Sequence, residues 1–384
     1  GLATMRPEGS AFARVLTTRA ELEPVLANNV RAMFEDPQGQ LWMGNEGRGL
    51  VRLVGPRLEY ESHYAELIQA LPGGQPGQAL RVFGIAAHGD DRLWVASDAG
   101  LFDYDPSARR ARFVELPAQP GKERALIRDL RHLLRARDGR LWISTFSAGL
   151  LVWDTATGEH TWYGHDPADL ATISHPLVTH VFEDRDGVIW AGSLEGLNRI
   201  DPRSGRLQRL LHDPGNTDSL SGNLVRHISQ DADGALWVST HSGLNRLSWV
   251  ADGRLRVQRF GTSAGLASPT VYASLADDQG RVWLSGNGGI ARLDAKASPP
   301  RLVRFDLTDG LQDLEFNGGV ALALRDGRMA FGGVRGLNLF NPALLEDSPF
   351  DPPVHLTSVQ IGQDMRALPG LDMPAELAVA QAER

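Results

Sequence analysis

Residues 178–201, VTHVFEDRDGVIWAGSLEGLNRID, recur along the chain in seven versions, and this repetition restricts the fold more than any other property. Each version holds two short apolar runs joined by a turn, then a Gly with an apolar partner and a third run. The Asp-Gly of the turn is a hairpin signal, because Gly supplies the positive φ that a tight connection needs. The apolar–Trp pair after the turn reads Leu41-Trp42, Leu93-Trp94, Leu141-Trp142, Ile189-Trp190, Leu236-Trp237 and Val282-Trp283, with a degenerate Met329-Ala330 as the seventh. Successive Trp positions are 52, 48, 48, 47 and 46 residues apart, and 47 more reach Ala330. In the second copy Asp91-Arg92 stands where the others carry the turn Gly. Such units predict an all-β fold, a single seven-bladed β-propeller with four-stranded blades over residues 11–345.

The innermost strand of each blade is expected to begin at Val30, Val82, Leu130, Val178, Val225, Val271 and Gly318, with the Trp twelve residues on. An indole at one fixed point per blade is expected to pack against the neighbouring sheet, not to bind a ligand. Residues 11–18 resemble the last run of other repeats, so the N-terminal strand should complete the blade built by the C-terminal repeat. That closure would leave no open edge. Residues 1–10 are set aside from fold reasoning.

The charge of −8 argues against a nucleic-acid partner, which needs a basic face. Absence of cysteine excludes disulfides, thiolate catalysis and cysteine metal sites. No apolar run approaches the roughly 18 residues of a membrane span, so this region is expected to make no membrane contact.

Candidate ligand contacts come from aligning the innermost strands. The position after the first strand residue holds Arg31, Phe83, Arg131, Thr179, Arg226, Tyr272 and Gly319. Arginine offers a planar fork to carboxylate, phosphate or sugar oxygens, and aromatic faces suit flat rings. The plainer reading is hydrogen bonding between blades around a watery channel. The next position holds His132, His180 and His227 on three consecutive blades. Three histidines can hold zinc, but no acidic residue shares their column, so no metal or other cofactor is assigned and polar packing or pH-responsive ligand contact is expected. Loops between second and third strands add Arg48, Phe146, His241 and Arg335. No nucleophile motif, phosphate loop or spaced carboxylate pair stands out, so no catalytic residue is assigned.

The unit from Val178 to Ser193, closing with Gly-Leu-Asn-Arg-Ile-Asp-Pro at 196–202, resembles the two-component regulator propeller repeat. The last repeat, with Leu314-Glu315-Phe316-Asn317 and Gly336-Leu337-Asn338-Leu339-Phe340-Asn341-Pro342, is similar to that family's terminal blade. Pro352-Pro353-Val354-His355-Leu356-Thr357-Ser358-Val359 resembles the first strand of the β-sandwich that follows it there, so 351–384 is expected to be a linker and the start of a truncated sandwich. The resemblance implies a non-enzymatic periplasmic sensor region of an inner-membrane receptor, binding a small molecule or oligosaccharide at the propeller mouth. It further implies a homodimer in the full receptor, with any histidine kinase or diguanylate cyclase activity lying outside this chain. Two alternatives stand beside it. One is a metal-dependent lyase resembling streptogramin B lyase, with His180 or His227 as base, and the other is a protein-interaction propeller.

Overall fold

The computed structural model describes residues 12–15, 28–55, 58–250, 253–345, 358–361 and 364–367. They contain seven four-stranded antiparallel sheets and one two-stranded sheet. Blades 1 to 6 start with innermost strands Val30–Glu35, Val82–His88, Leu130–Arg135, Val178–Glu183, Val225–Gln230 and Val271–Ala276, and their strands pair in chain order. Blade 7 takes Phe316–Ala323, Met329–Gly333 and Gly336–Phe340 from the last repeat and its fourth strand, Ala13–Val15, from the start of the chain. Ala13 pairs with Leu339 and Val15 with Leu337, so the expected ring closure is present. The chain divides into two compact units, residues 1–342 and 343–384. In the second, Ser358–Ile361 pairs with Asp364–Ala367, while the expected linker from 351 lies outside the described residues.

The tryptophan that follows each hairpin turn sits where its blade meets the next. Trp42 packs with Leu80, Val82 and Tyr104 of the approach to and body of blade 2, and Trp142 packs with Val178 and Ala191 of blade 4. Trp42, Trp142, Trp190, Trp237 and Trp283 are fully buried. Close approach of blades explains the Gly two residues after Trp42: a Cβ on Gly44 would lie 2.4 Å from the Val82 carbonyl oxygen.

The hairpin turns do more than reverse the chain. The Trp42 Nε1–H donates to Asp36 at 2.8 Å, Trp190 to Asp184 at 2.8 Å, and Trp237 and Trp283 to Asp231 and Asp277 at 2.9 Å. The other oxygen of Asp36 accepts from the turn nitrogens of Gln38 and Gln40, so one carboxylate ties turn to core. Blade 2 has His88 in that position, stacked on Trp94 at 4.1 Å. Blade 3 has Ala136, and the buried Trp142 Nε1 has no partner.

One expectation needs correction. The innermost strand of blade 7 begins at Phe316, not Gly318. Phe316 pairs with Gly333 and Ala321 with Phe331, so four residues stand opposite Gly332 alone. The loss of Trp at Ala330 and this insertion together obscured the start.

Candidate functional site

Innermost strands ring the axis in blade order, blade 7 touching blade 1, and blade 7 also reaches across to blade 5. In blades 1 to 6 the ladder between first and second strands skips one residue. In blade 1 Val30 pairs with Asn45 and Ala32 with Gly44, leaving Arg31 as the extra residue of a β-bulge. The same irregularity isolates Phe83, Arg131, Thr179, Arg226 and Tyr272. A bulge bends the strand and re-aims the side chain of the unpaired residue, so the column read from sequence is one structural position repeated around the channel. In blade 7 Gly319 lies within the longer insertion.

These side chains fall into two groups. On blades 1 to 3 they are enclosed by acids and rings. Arg31 donates from Nη2 to Glu46 at 2.6 Å and from Nε at 3.0 Å. Asn29 also donates to Glu46. Arg81 lies 3.7 Å from Glu46 and 3.6 Å from Asp98. Arg131 donates to Asp129 at 3.0 Å, and its guanidinium carbon sits 4.5 Å from the Phe83 ring centre and 4.6 Å from that of Phe146. Burial pushes the Asp129 carboxyl up and the Arg131 guanidinium down, each opposed by the other's charge. Cation–π stacking on two rings and a charged hydrogen bond hold that side chain in place.

Blades 4 to 7 differ. Thr179 donates to the Val225 carbonyl at 2.7 Å, a bond from blade to blade. Arg226 lies over Tyr272, 5.6 Å from its ring centre, and its buried Nε has no partner. No carboxylate pairs with Arg226 among the described residues, and burial lowers its pKa. Blade 7 supplies backbone here: a Cβ on Gly318 would lie 3.2 Å from Arg226 Cδ and 3.5 Å from its Nη1.

Below the bulges His132, His180 and His227 form a ladder, with ring centres 4.3 and 4.5 Å apart. The His132 Nδ1 accepts from the Val181 N–H and the His227 Nδ1 from the Ser274 N–H, each at 3.4 Å. A neutral ring accepting at Nδ1 carries its proton on Nε2. Burial lowers His132 to about 4 and His227 to about 3, and holds His180 well below the usual range with help from its two neighbours. The His180 Nδ1 is buried without a partner. The ladder runs from blade to blade and does not converge on a point, and among the described residues no group of three such side chains is placed to hold a metal. The three rings share a cavity of about 290 Å³ with Arg31, Phe83 and Gly319.

The loop candidates separate. Phe146 joins Arg131, with nearly half its surface exposed. Arg48 and His241 are exposed on their loops. Arg335 is exposed and faces Asp313 at 3.3 Å. Glu46 and Asp98, partners of Arg81, lie in the loops between second and third strands, and Arg81 and Asp129 were not among the sequence candidates. Both immediately precede the first strand residue of their blades, so the column on that side carried the signal.

A family model described as two component regulator propeller matches residues 24–47 and 219–242. Histidine kinase P4 of Formosa agariphila is 26% identical over 292 residues, 73% of this chain and 21% of the kinase. The chain thus spans about a fifth of the curated relative it matches. Among solved structures, the extracellular domain of a hybrid two component system from B. thetaiotaomicron superposes with a TM-score of 0.64 at 16% identity, covering 86% of this chain and 40% of that one. Virginiamycin B lyase from Staphylococcus aureus superposes with a TM-score of 0.59 at 13% identity, covering 85% of this chain and 97% of the enzyme. At these identities both likenesses extend to the fold alone. Among the described residues no helix is long and apolar enough to cross a membrane.

Proposed function

We propose that this chain, which belongs to the two-component regulator propeller family, is the extracytoplasmic sensor propeller of a transmembrane signalling receptor. In this reading a small molecule or oligosaccharide sits at the channel mouth, in contact with the bulged residues. One observation carries it: six innermost strands bulge at the same position, and three arginines and two aromatics occupy those bulges. Binding would favour one of two receptor states by its difference in affinity for them, with the receptor acting as a homodimer in the periplasm. Kinase or cyclase output belongs to other parts of such a receptor.

The lyase alternative requires a channel histidine that takes up a proton near neutral pH. Burial holds His180 and His227 far below that, which supports a binding role over a catalytic one. The test is a thermal-shift screen of neutral oligosaccharides and organic acids. A ligand at about a hundred times its Kd adds about 2.7 kcal/mol of stability. That gain should vanish when Phe83 and Arg226 are replaced by Ala. Stabilisation that survives both replacements would move the ligand away from the mouth.

A further inference from the structure

Resting on that reading, we propose that Arg226 receives a carboxylate group of the ligand, with Tyr272 beside it and the Gly318-Gly319 backbone of blade 7 alongside. Of the three bulge arginines, Arg31 is bonded to Glu46 and Arg131 to Asp129. Arg226 alone among them lacks a carboxylate partner among the described residues. Its Nε is buried and unpartnered, and its guanidinium lies over the face of Tyr272. A desolvated cation without an anion is costly to keep, and a ligand carboxylate arriving from the mouth removes that cost.

The surroundings are shaped for this. Blade 7 carries its insertion here, and a Cβ at Gly318 would crowd Cδ of Arg226 at 3.2 Å and touch its Nη1 at 3.5 Å. Glycine at that position leaves the guanidinium uncrowded. A Cβ on Gly319 would lie 3.2 Å from the Arg226 carbonyl oxygen and 3.7 Å from His180 Cδ2, so blade 7 backbone approaches blades 4 and 5 closely here. A single guanidinium matches a planar monoanion through paired N–H donors. A multiply charged phosphate would call for more cations than the single guanidinium of Arg226 supplies.

Calorimetric titration of this chain with glucuronate, glucose and succinate tests the assignment. Glucuronate should bind at least about tenfold more tightly than glucose, and Arg226→Gln should abolish that preference, as loss of a charged hydrogen bond requires. Arg226→Lys keeps charge and stem but loses the fork, so it should retain only part of the preference, and it serves as the test if the Gln variant does not fold. Succinate binding as well as glucuronate would identify a free organic acid as sufficient, and glucuronate alone would identify an acidic sugar; both support the site. Equal binding of glucose and glucuronate, or a preference unchanged in both variants, overturns the carboxylate assignment while leaving the sensor reading intact. Absence of binding by all three probes, together with a flat oligosaccharide screen, overturns both.

Discussion

Blades 1 to 3 and blades 5 and 6 present the same bulged position to the same mouth, yet they resolve it in opposite ways. On the first side Arg31 and Arg131 are matched by Glu46 and Asp129, and Phe83 and Phe146 sandwich one guanidinium. On the second side Arg226 has one tyrosine ring and a glycine-rich backbone. The repeat thus supplies a position, and the residues flanking it decide whether the position is rigid scaffold or an unsatisfied site. A self-neutralised side needs nothing from outside. A side with an orphaned cation does.

The largest expected effect concerns the ladder that bridges the two sides. His132 and His227 stay neutral down to about 4 and about 3 in the folded chain, whereas unfolded histidine titrates near 6.5. The unfolded state therefore binds more protons below 6.5, and stability is retained above that pH and lost as pH falls toward the folded values. Each such histidine contributes about 1.4 kcal/mol per pH unit in that window. Urea denaturation at pH 7 and pH 5 should show the loss, and His132→Asn should reduce it. An unchanged slope in the variant would detach the ladder from the pH response.

Next come the arginines themselves. Arg131→Leu leaves Asp129 half-buried without its partner and empties the aromatic sandwich, so it should lower stability by about 1–3 kcal/mol in denaturant titration. Arg226→Leu removes a cation that has no acid, so in the absence of ligand it should leave stability unchanged or raise it by about 1 kcal/mol. Losses of equal size would break the comparison, because the two sides would then be equivalent.

A smaller effect repeats the contrast at the far end of the blades. Trp237→Phe loses the bond to Asp231, whose carboxylate keeps the Ala235 N–H and faces Arg246 at 3.6 Å, so it should cost about 1 kcal/mol beyond the loss of ring area. Trp142→Phe should cost less, because its Nε1 has no acceptor to lose. Paired melting curves of the two variants measure the difference.

The architecture was legible because Trp and Gly recur at fixed intervals and because core positions dictate those residue types. Bulges were not, since a ladder that skips a residue leaves no mark in a single strand's sequence. The column Arg31, Phe83, Arg131, Thr179, Arg226 and Tyr272 could be aligned, but its separation into paired and unpaired arginines depends on partners 15 residues away for Arg31 and 2 for Arg131. The Asp–Trp bonds were within reach, as Asp36, Asp184, Asp231 and Asp277 each stand six residues before their Trp. The histidine column was visible, but a metal-like cluster and a stacked ladder look alike until the blades are set around an axis.

The pairing of Ala13 with Leu339 also sets an order of events during synthesis. Blade 7 cannot acquire its fourth strand from anything made late, because that strand is translated before every other strand of the ring. It must stay unpaired while six blades are translated, and its partner strand is the last of the ring to be made. Contacts of such sequence separation make closure slow relative to the local hairpins that precede it. Until then the growing arc carries a bare flank on blade 1 and a loose strand complementary to a segment not yet made. That strand could equally pair with the last repeat of another chain, so crowding of nascent copies, not instability of the finished ring, is where this protein is most exposed to misassembly.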